Sequence, residues 1–198
     1  TMTINIKNTL PILTPRLIID LPSMDMLDEI QAAKVEIWPE LKKWMSWSTP
    51  DQKAIEPLKE YFQSASDPNL IHGFPLIGRC RETNQYVIST GLHPVEGKEN
   101  EFSTGYWVAK NMQGKGLATE ATNAVLRYAF DIIGVDKMHI CYYEGNLGSS
   151  RVIEKLGFTA TQTLENNHKS NFDGSMLDEH LFEMHGPEVL PALSVTFG

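Results

Sequence analysis

The run Gln113-Gly114-Lys115-Gly116-Leu117-Ala118-Thr119-Glu120 holds residue types suited to gripping a phosphate. Gly114 and Gly116 let a backbone turn pass close to a ligand. An apolar repeat beginning at Leu117 predicts a helix, and the first turn of a helix leaves N–H groups without partners inside it. Those donors, with the positive end of the helix, suit phosphate oxygens. The segment therefore predicts a pyrophosphate cradle, although the glycines alone fit an ordinary turn before an amphipathic helix equally well. Two other nucleotide motifs are excluded. Gly116 is not followed by the Lys-Ser/Thr of a Walker loop, and Thr119 stands where the dinucleotide fingerprint needs its third glycine. His72, His93, His139, His180 and His185 show no metal-ligand spacing, so no metal is expected. Cys141 falls on an expected strand and reads as a core residue.

Several elements must position this run. Arg16 to Leu21 reads as a strand closed by Pro22. Ser23 or Asp25 suits the cap of a helix reaching about Val35. Leu41 to Trp47 carries Trp44 and Trp47 at helical spacing, and Thr49-Pro50-Asp51 starts a further helix through about Ser64. Phe74–Cys80 and Tyr86–Leu92 read as strands about the polar turn 82–85, and Phe102 to Ala109 as another. From Leu117 the apolar stripe through Ala121, Ala124, Val125, Tyr128, Ala129, Ile132 and Ile133 predicts a helix stopped by Gly134. Lys137 to Tyr143 follows as a strand, and Ser149 to Leu156 as a short helix ended by Gly157. Strands at about 158–165 and 176–184 are joined by a polar loop. The tail 187–198 carries no readable pattern. This order predicts an α/β chain with a mixed sheet rather than a regular βαβ repeat.

The pattern Gln113-x-x-Gly116-x-Ala118 resembles the acyl-CoA signature of the GNAT superfamily of N-acetyltransferases. The flanks Gly105-Tyr106-Trp107-Val108 and Ala118-Thr119-Glu120-Ala121 resemble its RimJ/RimL branch. So do Asn146-x-x-Ser149-x-Arg151-Val152-x-Glu154-Lys155-Leu156-Gly157-Phe158 and Leu41-x-x-Trp44-x-x-Trp47. The resemblance covers roughly residues 14–185, within a single domain expected over 1–198. It implies the GNAT fold: a central sheet splayed between the strands at 102–109 and 137–143, with helices on both faces.

It also implies roles. Acetyl-CoA would lie in the splay with its pantetheine arm against Trp107, Val108 and Ala109. The segment Gln113, Gly114, Lys115, Gly116, Leu117, Ala118 and Thr119 would hold the pyrophosphate. Lys115 reads equally well as a solvated lysine, and Arg151 as a helix-surface ion-pair residue. Asn146 would bond the pantetheine or fix its loop, or simply begin a helix. Ser149 would protonate the departing sulfur, or else cap the helix. A backbone N–H near Val108 would polarise the thioester carbonyl. The base position of RimL-like members, ten residues beyond the Gly-Phe pair, falls here on His168, in the connection read as a loop. Ser103 stands where family members often carry a glutamate, which makes Glu101, two residues earlier on the same strand face, the second candidate base.

The bulk properties narrow the reading. The chain has 198 residues, 41% of them hydrophobic, enough for one domain with its own core. A net charge of −8 argues against general nucleic-acid binding and fits a cationic, amine-bearing acceptor. Two cysteines imply no disulfide framework and favour a reducing cytoplasm. No apolar run is long enough for a membrane span, and Thr1–Leu13 does not read as a signal peptide. The acceptor is expected to be a primary amine, either a protein N-terminal α-amine or a small molecule. A CoA-binding module without catalysis is the reading from a different class. Homodimers are frequent among relatives, so one is expected here.

Overall fold

A computed structural model describes residues 3–198; Thr1 and Met2, which begin the expected domain and the segment read as lacking a signal, lie outside the described residues. In chain order the elements are α1 (Ile6–Thr9), β1 (Ile12–Leu13), β2 (Leu17–Asp20), α2 (Leu27–Glu36), α3 (Trp38–Trp44), α4 (Ile55–Ser64), β3 (Phe74–Cys80) and β4 (Tyr86–Pro94). Then come β5 (Glu101–Ser103), β6 (Trp107–Val108), α5 (Leu117–Tyr128), β7 (Lys137–Tyr143), α6 (Leu147–Leu156), β8 (Thr159–Lys169), β9 (Met176–Met184) and β10 (Thr196–Phe197). The strands run in the order β10-β1-β2-β3-β4-β5-β7-β9-β8, with β6 paired to β4 off that path. This is the expected mixed sheet with helices on both faces. Among the described residues the one parallel pair is β5 with β7, where Phe102 faces Met138.

The core follows the apolar periodicity. Leu117, Ala121, Ala124, Val125, Leu126 and Tyr128 are buried along α5, which packs on β4, β1 and α6. The α-helical pattern loosens to a wider turn over Ala129–Ile133 before Gly134, whose φ of 79° ends it as the sequence predicts. Beneath α5, Ile12, Leu17, Ile19, Leu76, Ile88 and Leu92 are fully out of water.

Four expectations are corrected. The strand read over 102–109 is two short strands, because Thr104–Tyr106 leaves the ladder. The Thr90 hydroxyl donates to the Gly105 carbonyl and the Thr104 hydroxyl to the Gly91 carbonyl, each at 2.8 Å. Side chains thus replace strand-to-strand bonds there, which satisfies backbone groups that the break would otherwise strand. The helix read over Leu41–Trp47 runs instead over Trp38–Trp44, with Pro39 in its first turn, and leaves Trp47 beyond its end. The helix read from Pro50 is a 3-10 turn, Pro50–Lys53, followed by α4. The polar connection after 165 continues as β8 through Lys169, paired across a bulge with β9. Its residues are mostly exposed, so no inside-outside alternation marks it in the sequence.

The unread tail packs on its own body. Phe197 pairs with Ile12 and its ring lies 5.8 Å from that of Tyr128. The Pro191 carbonyl accepts from Asn123 and Arg127 of α5.

Candidate active site

The break at Thr104–Tyr106 opens the sheet. Below it β5 hydrogen-bonds to β7, and the Thr104 N–H still reaches the His139 carbonyl at 3.0 Å. Above it, among the described residues, β6 pairs only with β4, and the upper part of β7 only with β9. A wedge therefore separates Trp107–Val108 from Ile140–Tyr143. The Ala109 N–H donates to Val87 on β4 at 2.9 Å. Alternation along an extended chain turns the Val108 N–H the other way, into the wedge. The Val108 carbonyl accepts from the Gln113 side chain at 3.1 Å, which ties the strand end to the glycine turn.

The turn has the geometry of a cradle. Gly114 and Gly116 both have positive φ, 72° and 76°, and Gly116 is the residue capping α5. No side chain occupies that cap, so the first N–H groups of this twelve-residue helix stay open to a ligand. Lys115 is exposed beside them. A framework absent from the sequence reading holds the turn. Arg16 donates through Nε to Glu120 at 2.8 Å and through Nη1 to the Lys115 carbonyl at 2.8 Å. Glu120 also accepts from the Thr14 hydroxyl at 2.6 Å and the Arg16 N–H at 3.0 Å. The charge pairing of Arg16 with Glu120, more than a hundred residues apart, has no local signal.

Desolvation acts to raise the Glu120 pKa, but the bonds from Thr14 and Arg16 outweigh it and hold the carboxyl below its ordinary value. A depressed carboxyl stabilises the fold above its unfolded pKa, about 4.3, and loses that contribution as pH falls through the folded value. Glu120→Ala, which strands these donors, is expected to cost about 1–3 kcal/mol. That corresponds to a melting temperature lower by roughly 3–10 °C. The same variant should flatten the acid limb of stability against pH, measured by thermal melts from neutral to acid pH.

Across the wedge, Asn146 accepts from the Ser149 N–H at 3.3 Å and caps α6, so the capping role falls to Asn146 and leaves the Ser149 hydroxyl free of it. That hydroxyl lies 3.5 Å from the Tyr106 hydroxyl. Burial raises the Tyr106 pKa and the contact with Ser149 lowers it in part, so the phenol stays protonated. Burial, then the Glu179 carboxylate, push the Cys141 thiol up to about 12, which leaves it inert as a nucleophile at neutral pH.

On the far side of β5 and β6 lies a cavity of ≈ 560 Å³. Its walls come from the α2–α4 region, β3, β4 and the broken strand, with Trp47, Tyr61, Phe62, Tyr106 and Trp107 supplying aromatic surface. Trp47 lies at the edge of this space and leans on Trp38 at 6.3 Å; Trp44 instead packs beside Gly145.

The two base candidates read from the sequence do not line this cavity. Glu101 sits 2.8 Å from His139 and 3.7 Å from Lys137. The hydrogen bond from His139 holds its pKa down even against desolvation, which makes it a weaker base. His168 is not a solvated loop residue. It is buried on β8, stacked on Tyr143 at 3.8 Å, with Nε2 3.3 Å from the Lys43 carbonyl. His93, on β4 opposite Ser103, does line the cavity, and desolvation lowers its pKa. It carried no signal in the sequence, because the position opposite Ser103 is set by strand pairing.

Residues 16–159 match the acetyltransferase (GNAT) domain family. The chain belongs to this family and is an N-acetyltransferase of GNAT type. A 67-residue segment is 36% identical to the protein named "Putative ribosomal N-acetyltransferase YdaF" of Bacillus subtilis (strain 168), covering 34% of this chain and 37% of that protein. Among solved structures, Mycobacterium smegmatis RimJ in complex with CoA-disulfide superposes with a TM-score of 0.77 at 18% identity, over 93% of this chain and 90% of that one. The microcin C7 self-immunity acetyltransferase MccE in complex with acetyl-CoA and AMP superposes at 0.75 and 17% identity, over 86% and 93%. Among the described residues no helix is long and apolar enough to cross a membrane.

Proposed function

We propose that the protein transfers acetyl from acetyl-CoA to a primary amine by direct attack within a ternary complex. The observation that carries this reading is the wedge between β6 and β7, which leads from an open strand edge to the glycine turn before α5. The wedge fits the residues a CoA thioester needs. The N–H groups at the start of α5 would hold its pyrophosphate, and the free edge at Trp107–Val108 would pair with its pantetheine amides. Bound acetyl-CoA supplies the activated acyl group. The Val108 N–H would donate to the thioester oxygen as it gains negative charge. Ser149, backed by the Tyr106 phenol, would return a proton to the leaving sulfur. The amine would arrive from the cavity on the other side of the broken strand. It must be neutral to attack, and His93 in the cavity wall is placed to take its proton. No covalent acyl-enzyme is required, in keeping with the inert Cys141 thiol.

The support from relatives is that RimJ and MccE were solved with CoA-disulfide and with acetyl-CoA. The test is thiol release from acetyl-CoA against a panel of amines, with binding of acetyl-CoA followed separately by calorimetry. Ser149→Ala combined with Tyr106→Phe is expected to lower kcat about 10²-fold, with KM for acetyl-CoA little changed. Binding without turnover of any amine would favour a CoA-binding module. A kcat unchanged in the double variant would take the proton donor away from this pair.

A further inference from the structure

The cavity beyond the broken strand has polar side chains in its wall, but the protein itself occupies many of them. The Ser89 hydroxyl contacts the Tyr86 phenol at 2.6 Å. Thr90 and Thr104 donate to the Gly105 and Gly91 carbonyls. Gln52 donates to Asp51 at 3.2 Å. Lys34, only 2% exposed, gives two of its protons to the Gln52 and Ala54 carbonyls at 2.8 and 2.7 Å. Four groups are exceptions: among the described residues the His93 ring, the Tyr61 hydroxyl and the indole N–H groups of Trp47 and Trp107 have no hydrogen-bond partner in the protein. The wall also contains no Asp or Glu, and Lys34 is its only lysine or arginine. What remains facing the space is largely Met45, Trp47, Leu58, Tyr61, Phe62 and Ile77.

A ligand here meets largely apolar and aromatic surface, one imidazole, one phenol and two indole N–H groups. A peptide chain would carry more amide N–H and C=O groups into the space than these few groups can bond, and each unpaired amide costs free energy. A polyamine would bring further ammonium groups to a wall that offers no carboxylate and one buried cation. An amine with an apolar body fits this wall better, since its body meets apolar and aromatic surface and its single polar group can meet the His93 imidazole.

We infer that the acceptor is a primary amine on a compact, apolar, aromatic-bearing body with no second charged group. This rests on the acetyl-transfer reading above, of which it names the acceptor class. The test measures thiol release by the full chain with 2-phenylethylamine, spermidine and an alanine-initiated hexapeptide, with acetyl-CoA binding measured independently. Expected is a kcat/KM for 2-phenylethylamine about tenfold or more above both others. Tyr61 is 44% exposed at the cavity wall, so its replacement should leave the fold intact, as a thermal melt verifies. Tyr61→Ala should raise KM for 2-phenylethylamine, and Tyr61→Asp should shift preference toward spermidine. Faster turnover of spermidine or of the peptide overturns the inference and leaves acetyl transfer standing. Binding of acetyl-CoA with none of the three acetylated also overturns the inference, and the wider amine panel then decides whether acetyl transfer stands. Failure to bind acetyl-CoA overturns the donor site and this inference with it.

Discussion

Gly116→Glu is expected to remove acetyl-CoA binding, lowering donor affinity about 10²-fold or more, while the protein stays folded. Two effects act together. The residue sits at φ 76°, where a side chain is strained, and it caps the helix whose free N–H groups would face the pyrophosphate. A carboxylate there would compete for those donors and repel the phosphates. Space is not the obstacle, since a Cβ at this position meets only the Arg16 Nη2 at 3.5 Å, an ordinary contact. Gly97→Glu separates strain from charge. Gly97 has a similar φ of 73°, with no neighbour within 4 Å of an added Cβ and no place in the cavity wall or the cradle. It should cost about 1 kcal/mol of stability and leave the acetyl-CoA dissociation constant unchanged. Calorimetric titration with acetyl-CoA and a thermal melt on both variants decide the matter. Equal affinity in the two variants would move the pyrophosphate away from this turn.

The parts of the fold legible in the sequence are those whose signal is local. Phe74–Cys80, Lys137–Tyr143 and Met176–Met184 fall on the predicted residues, because each is an apolar-rich run between turn residues. The helix from Leu117 to Gly134 is legible because its stripe repeats over four turns. The glycine turn before α5 is legible from residue types alone, as is α6, the helix that Asn146 caps; the cradle role of the turn and the role of Ser149 are proposals that the variants above test. What escaped depends on partners distant in sequence. The break at Thr104–Tyr106 is made by Thr90 and Gly91 on another strand. The clasp of Glu120 depends on Thr14 and Arg16, and the tail strand on Ile12. His168 was read as a loop residue because β8 is polar along its length, yet Tyr143 and Lys43 bury it from two other elements. Counting along the chain finds positions in a motif; it does not find what faces a cavity.

His93→Gln is expected to lower kcat/KM about 10²-fold or more near neutral pH, with little change in acetyl-CoA affinity. The imidazole can accept a proton only when neutral, which holds above its pKa. Desolvation in the cavity wall lowers that pKa from the ordinary histidine value of 6.5. The acid limb of the wild-type profile should therefore lie below pH 6.5, with activity falling as pH drops through it. No carboxylate lines the cavity to pull the pKa back up. In the glutamine variant that limb should vanish. Activity should instead rise toward alkaline pH, following the fraction of amine already neutral in solution. A variant that lost affinity for the amine without losing the limb would mark His93 as a binding residue only. His168→Gln and Glu101→Gln provide the contrast, since neither side chain lines the cavity. If His168→Gln abolished the acid limb while His93→Gln kept it, the proton would leave by way of β8, and the stacking of His168 on Tyr143 would become part of the catalytic apparatus.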